Sequence, residues 1–208
     1  MKTHYAAGFD IGGTRLKYGL IDSEGRLVFK GQTRSPEAMA EILDVLEETW
    51  ALLKRKAPGP VRSCGFGIAG FYSRKEQKIL QSPNYPGLNG YPLVPAFRKF
   101  IDVPFRIGND ANMAAYGEFA HGAGRGARSL VLLTIGTGIG SGIILGGKLW
   151  EGEGGYAGEI GHITVNPEGA PCPCGGRGCL ETEASAPSIV KNYQALTGRT
   201  DIADSRDV

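Results

Sequence analysis

Between Glu159 and Glu181 the chain reads EIGHITVNPEGAPCPCGGRGCLE, which sets one histidine and three cysteines between two carboxylates. His162, Cys172, Cys174 and Cys179 have the composition and spacing of a tetrahedral Cys3His zinc site. With all four positions supplied by protein, no position is left for water or substrate, so the metal is expected to hold a loop rather than to catalyse. A disulfide framework is the competing account. Three clustered cysteines cannot all pair with one another, and Cys64 lies far away in an apolar run, where it reads as a buried core residue.

Two glycine turns carry a second kind of chemistry. In Asp10-Ile-Gly-Gly-Thr-Arg-Leu-Lys17, backbone amides of Gly12 and Gly13, the hydroxyl of Thr14 and the amine of Lys17 stand where phosphate oxygens can approach without a Cβ in the way. Gly136-Thr137-Gly138 repeats the device. Two such turns are expected to face each other and clamp a polyphosphate, with Asp10 holding a magnesium ion directly or through water. Neither is a Walker A loop.

Attack of a hydroxyl on phosphorus needs a carboxylate within hydrogen-bond reach of that hydroxyl, and Asp110 in Asn109-Asp-Ala-Asn112 is the best-placed general base. Asn109 would hydrogen-bond an adjacent hydroxyl. The bland account of this motif is that Asn or Asp there caps a helix. Glu159, His162 and Glu181 add acceptors and donors of the kind that read a polyol rather than an apolar ligand.

The elements that must position these groups alternate between strand and helix patterns. Tyr5–Ile11 and Leu16–Asp22 form a hairpin around the first glycine turn, and Arg26–Thr33 makes a third strand. A helix is expected from Pro36 to about Ala57, strands at Val61–Ile68 and Phe105–Gly108, and helices at Leu93–Phe100 and Ala111–His121. Gly122–Gly126 is a candidate boundary between a first lobe, 1–121, and a second, 122–208. The second opens with Leu130–Ile135 and Ile139–Leu145 around the second glycine turn, an echo that suggests a duplicated fold. Glu183–Leu196 reads as a helix, and the polar tail after it as frayed.

At 208 residues with a formal net charge of +2 and scattered basic groups, the chain has no electrostatic footprint for nucleic acid or an anionic membrane. Nothing approaches the roughly 20 apolar residues of a membrane span. A soluble, cytoplasmic protein is expected, with strand-like sequence starting almost at the N-terminus.

DIGGTRLKYGL, SPNYPG, GNDAN, LTIGTGIGSGIILGGKLWEGEGGYAGEIGH and CPCGGRGCLE, taken together and in order, resemble the ROK family of bacterial sugar kinases and sugar-responsive repressors, most closely its glucokinases. The resemblance implies an α/β, actin-like ATPase fold with two lobes around a cleft, usually as a dimer. It implies ATP-dependent transfer of the γ-phosphate to the C6 hydroxyl of an aldohexose. Asp110 would be the base, and Gly70, Asn84, Asn109, Glu159, His162 and Glu181 would surround the sugar. His162 would ligate zinc through one ring nitrogen and meet the sugar with the other.

Two departures accompany the resemblance. The family's GxPG turn stands here as Gly67-Ile68-Ala69-Gly70, without the stiffening proline. The chain is also expected to lack the C-terminal portion that completes both lobes and the adenosine site. The alternatives are therefore a kinase for N-acetylglucosamine or N-acetylmannosamine and a catalytically silent sugar-binding fragment. A repressor, which would need a preceding helix-turn-helix domain, is expected least.

Overall fold

The computed structural model describes residues 3–82 and 85–208. Three strands open the chain: β1 (Tyr5–Ile11), β2 (Arg15–Asp22) and β3 (Leu27–Arg34). Helix α1 (Met39–Lys56) follows, then β4 (Val61–Ile68), the hairpin β5 (Phe71–Ser73) and β6 (Lys78–Gln81), the short helix α2 (Leu93–Phe97), β7 (Phe105–Asn109) and α3 (Asp110–His121). Beyond it lie β8 (Leu130–Ile135), β9 (Ile139–Leu145), β10 (Lys148–Leu149), α4 (Leu180–Ala184) and α5 (Ala186–Thr197).

The first sheet has the order β3-β2-β1-β4-β7, antiparallel through the opening meander and parallel from β1 to β4 to β7. The second is an antiparallel sheet of order β10-β9-β8. Period-2 patterning decides which face of β1 is covered: Tyr5, Ala7, Phe9 and Ile11 are buried, while Ala6, Gly8 and Asp10 between them are not. Ala7, Phe9 and Ile11 of that face pack in one apolar cluster with Ile42, Leu46, Trp50 and Leu53 of α1. Phe66 on β4 lies at the centre, stacked on Phe9 at 4.9 Å between ring centroids and meeting Phe97 at 4.5 Å.

Helix α3 is the element that joins the two sheets, and glycines on both sides let it come close. A Cβ at Gly67 of β4 would lie 3.2 Å from Asp110 Cα, and one at Gly142 of β9 would meet Ala111 O at 2.9 Å and Ala115 Cβ at 2.5 Å. Residues without side chains at these points allow the helix to sit directly on both sheets. The first turn of α3, which begins with Asp110, is thereby held between them.

Several expected boundaries shift for local reasons. Helix α1 starts at Met39 rather than Pro36. Ser35 is tied by its amide to Thr14 O and by its hydroxyl to Gly12 O, and a residue before proline is in any case pushed to extended backbone. Helix α2 ends at Phe97, short of the expected Phe100. The expected helix 183–196 is two helices broken at an extended Ser185. Pro187 has no N–H to give and must sit in the first turn of a new helix. The β5–β6 hairpin was not foreseen, since its strands are only three and four residues long. No helix of the described residues is long and apolar enough to cross a membrane.

Candidate functional site

The metal-ligand set forms from a knuckle of tight turns. Cys172 N donates to Gly176 O at 2.9 Å and Gly175 N to Cys172 O at 3.0 Å, so the chain reverses around Cys174, the second cysteine of the set. Gly175 has φ +91°, a conformation in which a Cβ is strained. Cys179 returns to the start of the loop by bridging to Thr164, while His162 ends a one-turn 3-10 helix, Ile160–His162.

One donor atom from each of His162, Cys172, Cys174 and Cys179 lies within 4.8 Å of the others. The Cys174 and Cys179 sulfurs are 3.7 Å apart, and Cys172 Sγ is 3.6 Å from His162 Nδ1. A tetrahedral zinc with Zn–S of about 2.3 Å requires sulfurs about 3.8 Å apart, so the donors already stand at ligand spacing. Burial and the neighbouring sulfurs push the Cys179 thiol up to about 12. The Gly176 amide, donating to Cys174 Sγ at 3.4 Å, draws Cys174 down. The donor set fits a thiophilic divalent metal. Cys64, outside this set, is a buried thiol pushed well up by desolvation, as a core residue should be.

With Nδ1 turned to the cysteines, His162 presents Nε2 to Glu159, whose Oε2 is 3.8 Å away. Burial pushes the Glu159 carboxyl above its ordinary range, His162 pulls it down, and the charges of Asp110 and Glu181 push it up again. Three carboxylates from separate elements therefore converge beside one imidazole. Glu181, in the first turn of α4, accepts a hydrogen bond from Ile139 N at 3.0 Å.

Asp110 opens α3 at the end of β7. Burial pushes its carboxyl above the aspartate range; the Ala111 amide, 2.9 Å from Oδ1, opposes this, the charge of Asp10 adds to it and Lys17 counters. Among the described residues its second carboxyl oxygen has no hydrogen-bond donor. The capping role belongs to the residue before it: Asn109 Oδ1 accepts from Asn112 N at 3.0 Å while its Nδ2 donates to Gly70 O at 3.2 Å. Gly70, at φ +132°, follows the end of β4 so tightly that a Cβ would strike Gln81 O. Asn84 lies outside the described residues.

The two glycine turns are anchored differently. At the first, Gly12 O accepts from the Tyr85 hydroxyl at 2.8 Å and from Ser35 Oγ, while Gly13 and Thr14 remain exposed. Asp10 and Lys17, cross-strand partners, form an exposed ion pair at 3.1 Å. At the second, Gly136 N donates to Gly138 O, Gly136 O accepts from Ala186 N at the start of α5, and a Cβ on Gly138 would collide with the Glu181 carboxylate.

Sequence reasoning missed Tyr85, Ser35 and Ser141. Ser141 Oγ accepts from Ile160 N at 3.2 Å and so fixes the turn that carries Glu159 and His162. The tyrosine was visible in SPNYPG, yet nothing in its local pattern gave away a partner 73 residues earlier.

Comparison with known proteins places this arrangement. The chain is 39% identical to a glucokinase of Halalkalibacterium halodurans, over 92% of this chain and 59% of that protein. It is 32% identical to the xylose repressor of Bacillus subtilis, over 93% of this chain and 51% of the repressor. Its structure superposes with a TM-score of 0.81 and 36% identity on a ROK family glucokinase from Streptomyces griseus solved with glucose and AMPPNP, covering 93% of this chain and 62% of that one. The chain thus spans about three fifths or less of the length of these relatives. Its mixed α/β architecture is that of the actin-like ATPase fold, in part. With the ROK family model matching residues 6–207, and with the motifs at Asp10, Asp110, Gly136 and Cys172 built into one fold, the chain belongs to the ROK family.

Proposed function

We propose that this chain is the sugar-binding, base-bearing portion of an ATP-dependent hexose 6-phosphotransferase, with glucose as the substrate. The observation that carries the reading is Asp110, a carboxylate held at a helix start with one oxygen that has no donor among the described residues, raised in basicity by burial and electrostatically coupled to Glu159 beside Glu181 and His162. A base is more effective when its pKa moves toward the working pH.

In this reading the C6 hydroxyl gives its proton to Asp110 as its oxygen bonds to the γ-phosphorus, the bridging bond breaks, and ADP leaves. Gly70, Asn84, Asn109, Glu159, His162 and Glu181 surround the sugar hydroxyls. Gly12, Gly13, Thr14, Lys17, Gly136, Thr137 and Gly138 receive the nucleotide phosphates, and Asp10 stands by a magnesium ion, which neutralises phosphate charge when bound. Zinc on His162, Cys172, Cys174 and Cys179 supplies loop rigidity and no reacting group. The whole protein is read as a cytoplasmic homodimer.

The deciding measurement is ADP release in a coupled assay with glucose, comparing the chain with Asp110→Asn. Turnover should fall about 10²- to 10⁴-fold, the usual share of a general base. Equal turnover by the two proteins overturns the assignment. A panel including N-acetylglucosamine and N-acetylmannosamine separates the amino-sugar alternative, and operator binding in a gel shift would favour a repressor.

A second reading is supported by the share of the relatives that the chain spans: a sugar-binding portion that does not turn over alone. Calorimetry showing glucose binding without AMPPNP binding would select it.

A further inference from the structure

Two successive carbonyls, Ala69 O and Gly70 O, are held by side chains from two different parts of the chain. Ser82 Oγ donates to Ala69 O at 2.7 Å, and Asn109 Nδ2 donates to Gly70 O at 3.2 Å. The turn between β4 and β5 needs such anchors. Gly70 stands at φ +132°, open to it only because it has no Cβ, and alanine at position 69 leaves free a φ that proline would fix. The two stretches also lie against each other, since a Cβ on Gly70 would come 2.9 Å from Ser82 Cα.

Ser82 uses every polar atom it presents to the turn. It is 2% exposed; its amide donates to Asn89 Oδ1 at 2.8 Å, and its hydroxyl oxygen accepts from Tyr85 N at 3.2 Å while giving its proton to Ala69 O. Tyr85, 4% exposed, carries the connection to the first glycine turn, where its own hydroxyl meets Gly12 O. On the other side the Asn109 carboxamide grips Gly70 O with its nitrogen and caps Asn112 N with its oxygen, 3.0 Å away. Because both bonds come from one planar group, a shift of Gly70 O tilts the oxygen that caps α3. One chain of hydrogen bonds thus runs from Gly12 through Ser82 to the residue beside Asp110.

We propose that Ser82 is a positioning residue for the base. Its hydroxyl sets Gly70 O through Ala69 O, Gly70 O sets the Asn109 carboxamide, and the carboxamide sets the first turn of α3, on which Asp110 stands. Ser82 acts through these groups and not on a reacting atom. The kinetic consequence rests on the reading of Asp110 as the base; the structural one does not. Misplacing a catalytic group by about 1 Å can cost roughly 100-fold in rate, so a loosened Ala69-Gly70 turn is felt in turnover.

The test compares the parent chain with Ser82→Ala. The Asn112 amide should exchange its hydrogen at least about tenfold faster in the variant, while the Ala115 amide, three residues further along α3, keeps its rate. A general loss of stability would speed both. With glucose and ATP, kcat should fall at least about tenfold. Ser82→Cys keeps the size and offers only a weak S–H donor, so it should lie between the alanine variant and the parent in both readouts, and it carries the test where Ser82→Ala does not fold. Asn112 exchange at the parent rate overturns the proposal, as does equal acceleration at Asn112 and Ala115, or an unchanged kcat in a chain that turns over. A parent without turnover counts against the kinase reading instead, and the exchange comparison then decides the role of Ser82 by itself.

Discussion

Glu181 Oε2 accepts a hydrogen bond from Ile139 N at 3.0 Å, which links the metal knuckle to the second glycine turn across 42 residues of sequence. Glu181 lies two positions after Cys179, a candidate ligand, and Ile139 lies directly after Gly136-Thr137-Gly138. Placement of the knuckle therefore determines the placement of the turn.

Removing that acceptor should loosen both. Glu181→Ala leaves the Ile139 amide without its charged partner, and hydrogen bonds to charged groups are worth about 1.5–3 kcal/mol. A drop in denaturant midpoint of that size, together with a glucose affinity weakened at least tenfold by calorimetry, is the expected outcome. Unchanged stability and affinity would show that the contact is incidental.

The metal itself can be counted. Elemental analysis of the purified protein should find one zinc per chain, and Cys179→Ser should lose it. Because small structural sites bind zinc with about 10–16 kcal/mol, comparable to a whole domain's stability, chelation is expected to unfold the 159–181 loop and to abolish glucose binding. A metal-free sample that binds glucose with its original affinity would break the connection between knuckle and sugar pocket.

Asp110 makes opposite demands on activity and stability. Its folded pKa is raised, so between the ordinary aspartate value of about 3.9 and the raised one the folded state keeps a proton that the unfolded chain has released. The stability of the protonated form is fully present below the ordinary value and is lost as pH rises through the folded one. Asp110→Asn cannot ionise, so it should melt at the same or a higher temperature than the parent at pH 7, with the difference vanishing in acid. The parent's turnover, by contrast, should fall as pH drops through the folded pKa. A variant clearly less stable than the parent at neutral pH would contradict the burial argument.

Tyr85 is expected to act through the first glycine turn. Its hydroxyl donates to Gly12 O at 2.8 Å, and Ser35 Oγ donates to the same carbonyl. Tyr85→Phe keeps the buried ring and the serine contact, so its stability cost should be only about 0.5–1.5 kcal/mol. Released from one anchor, the turn should receive phosphate less well, raising the KM for ATP several-fold with little change in that for glucose. Identical values for both substrates would assign Tyr85 a packing role alone.

How much of this could be read without coordinates depended on the range over which each signal acts. Strands β1, β4, β8 and β9 were recovered with their observed ends, because period-2 burial and glycine breaks are written into neighbouring residues. Helix α1 was placed three residues too early, since the contact that keeps Ser35 extended comes from Gly12 and Thr14, far back in the chain. Asn109 and Asp110 were both open to a capping role; only the position of Asn112 N assigned it to Asn109.

By itself, then, the sequence determined the ligand types and their spacing, the two glycine turns, and the α/β alternation, all of which follow from residue chemistry over a few positions. Tertiary structure decided the rest. It turned His162 Nδ1 to the cysteines and Nε2 to Glu159, brought the charges of Asp110, Glu159 and Glu181 within reach of one another, and left one face of β8 uncovered. Orientation, mutual burial and unpaired edges are properties of elements packed together, and no local pattern encodes what lies on the other side.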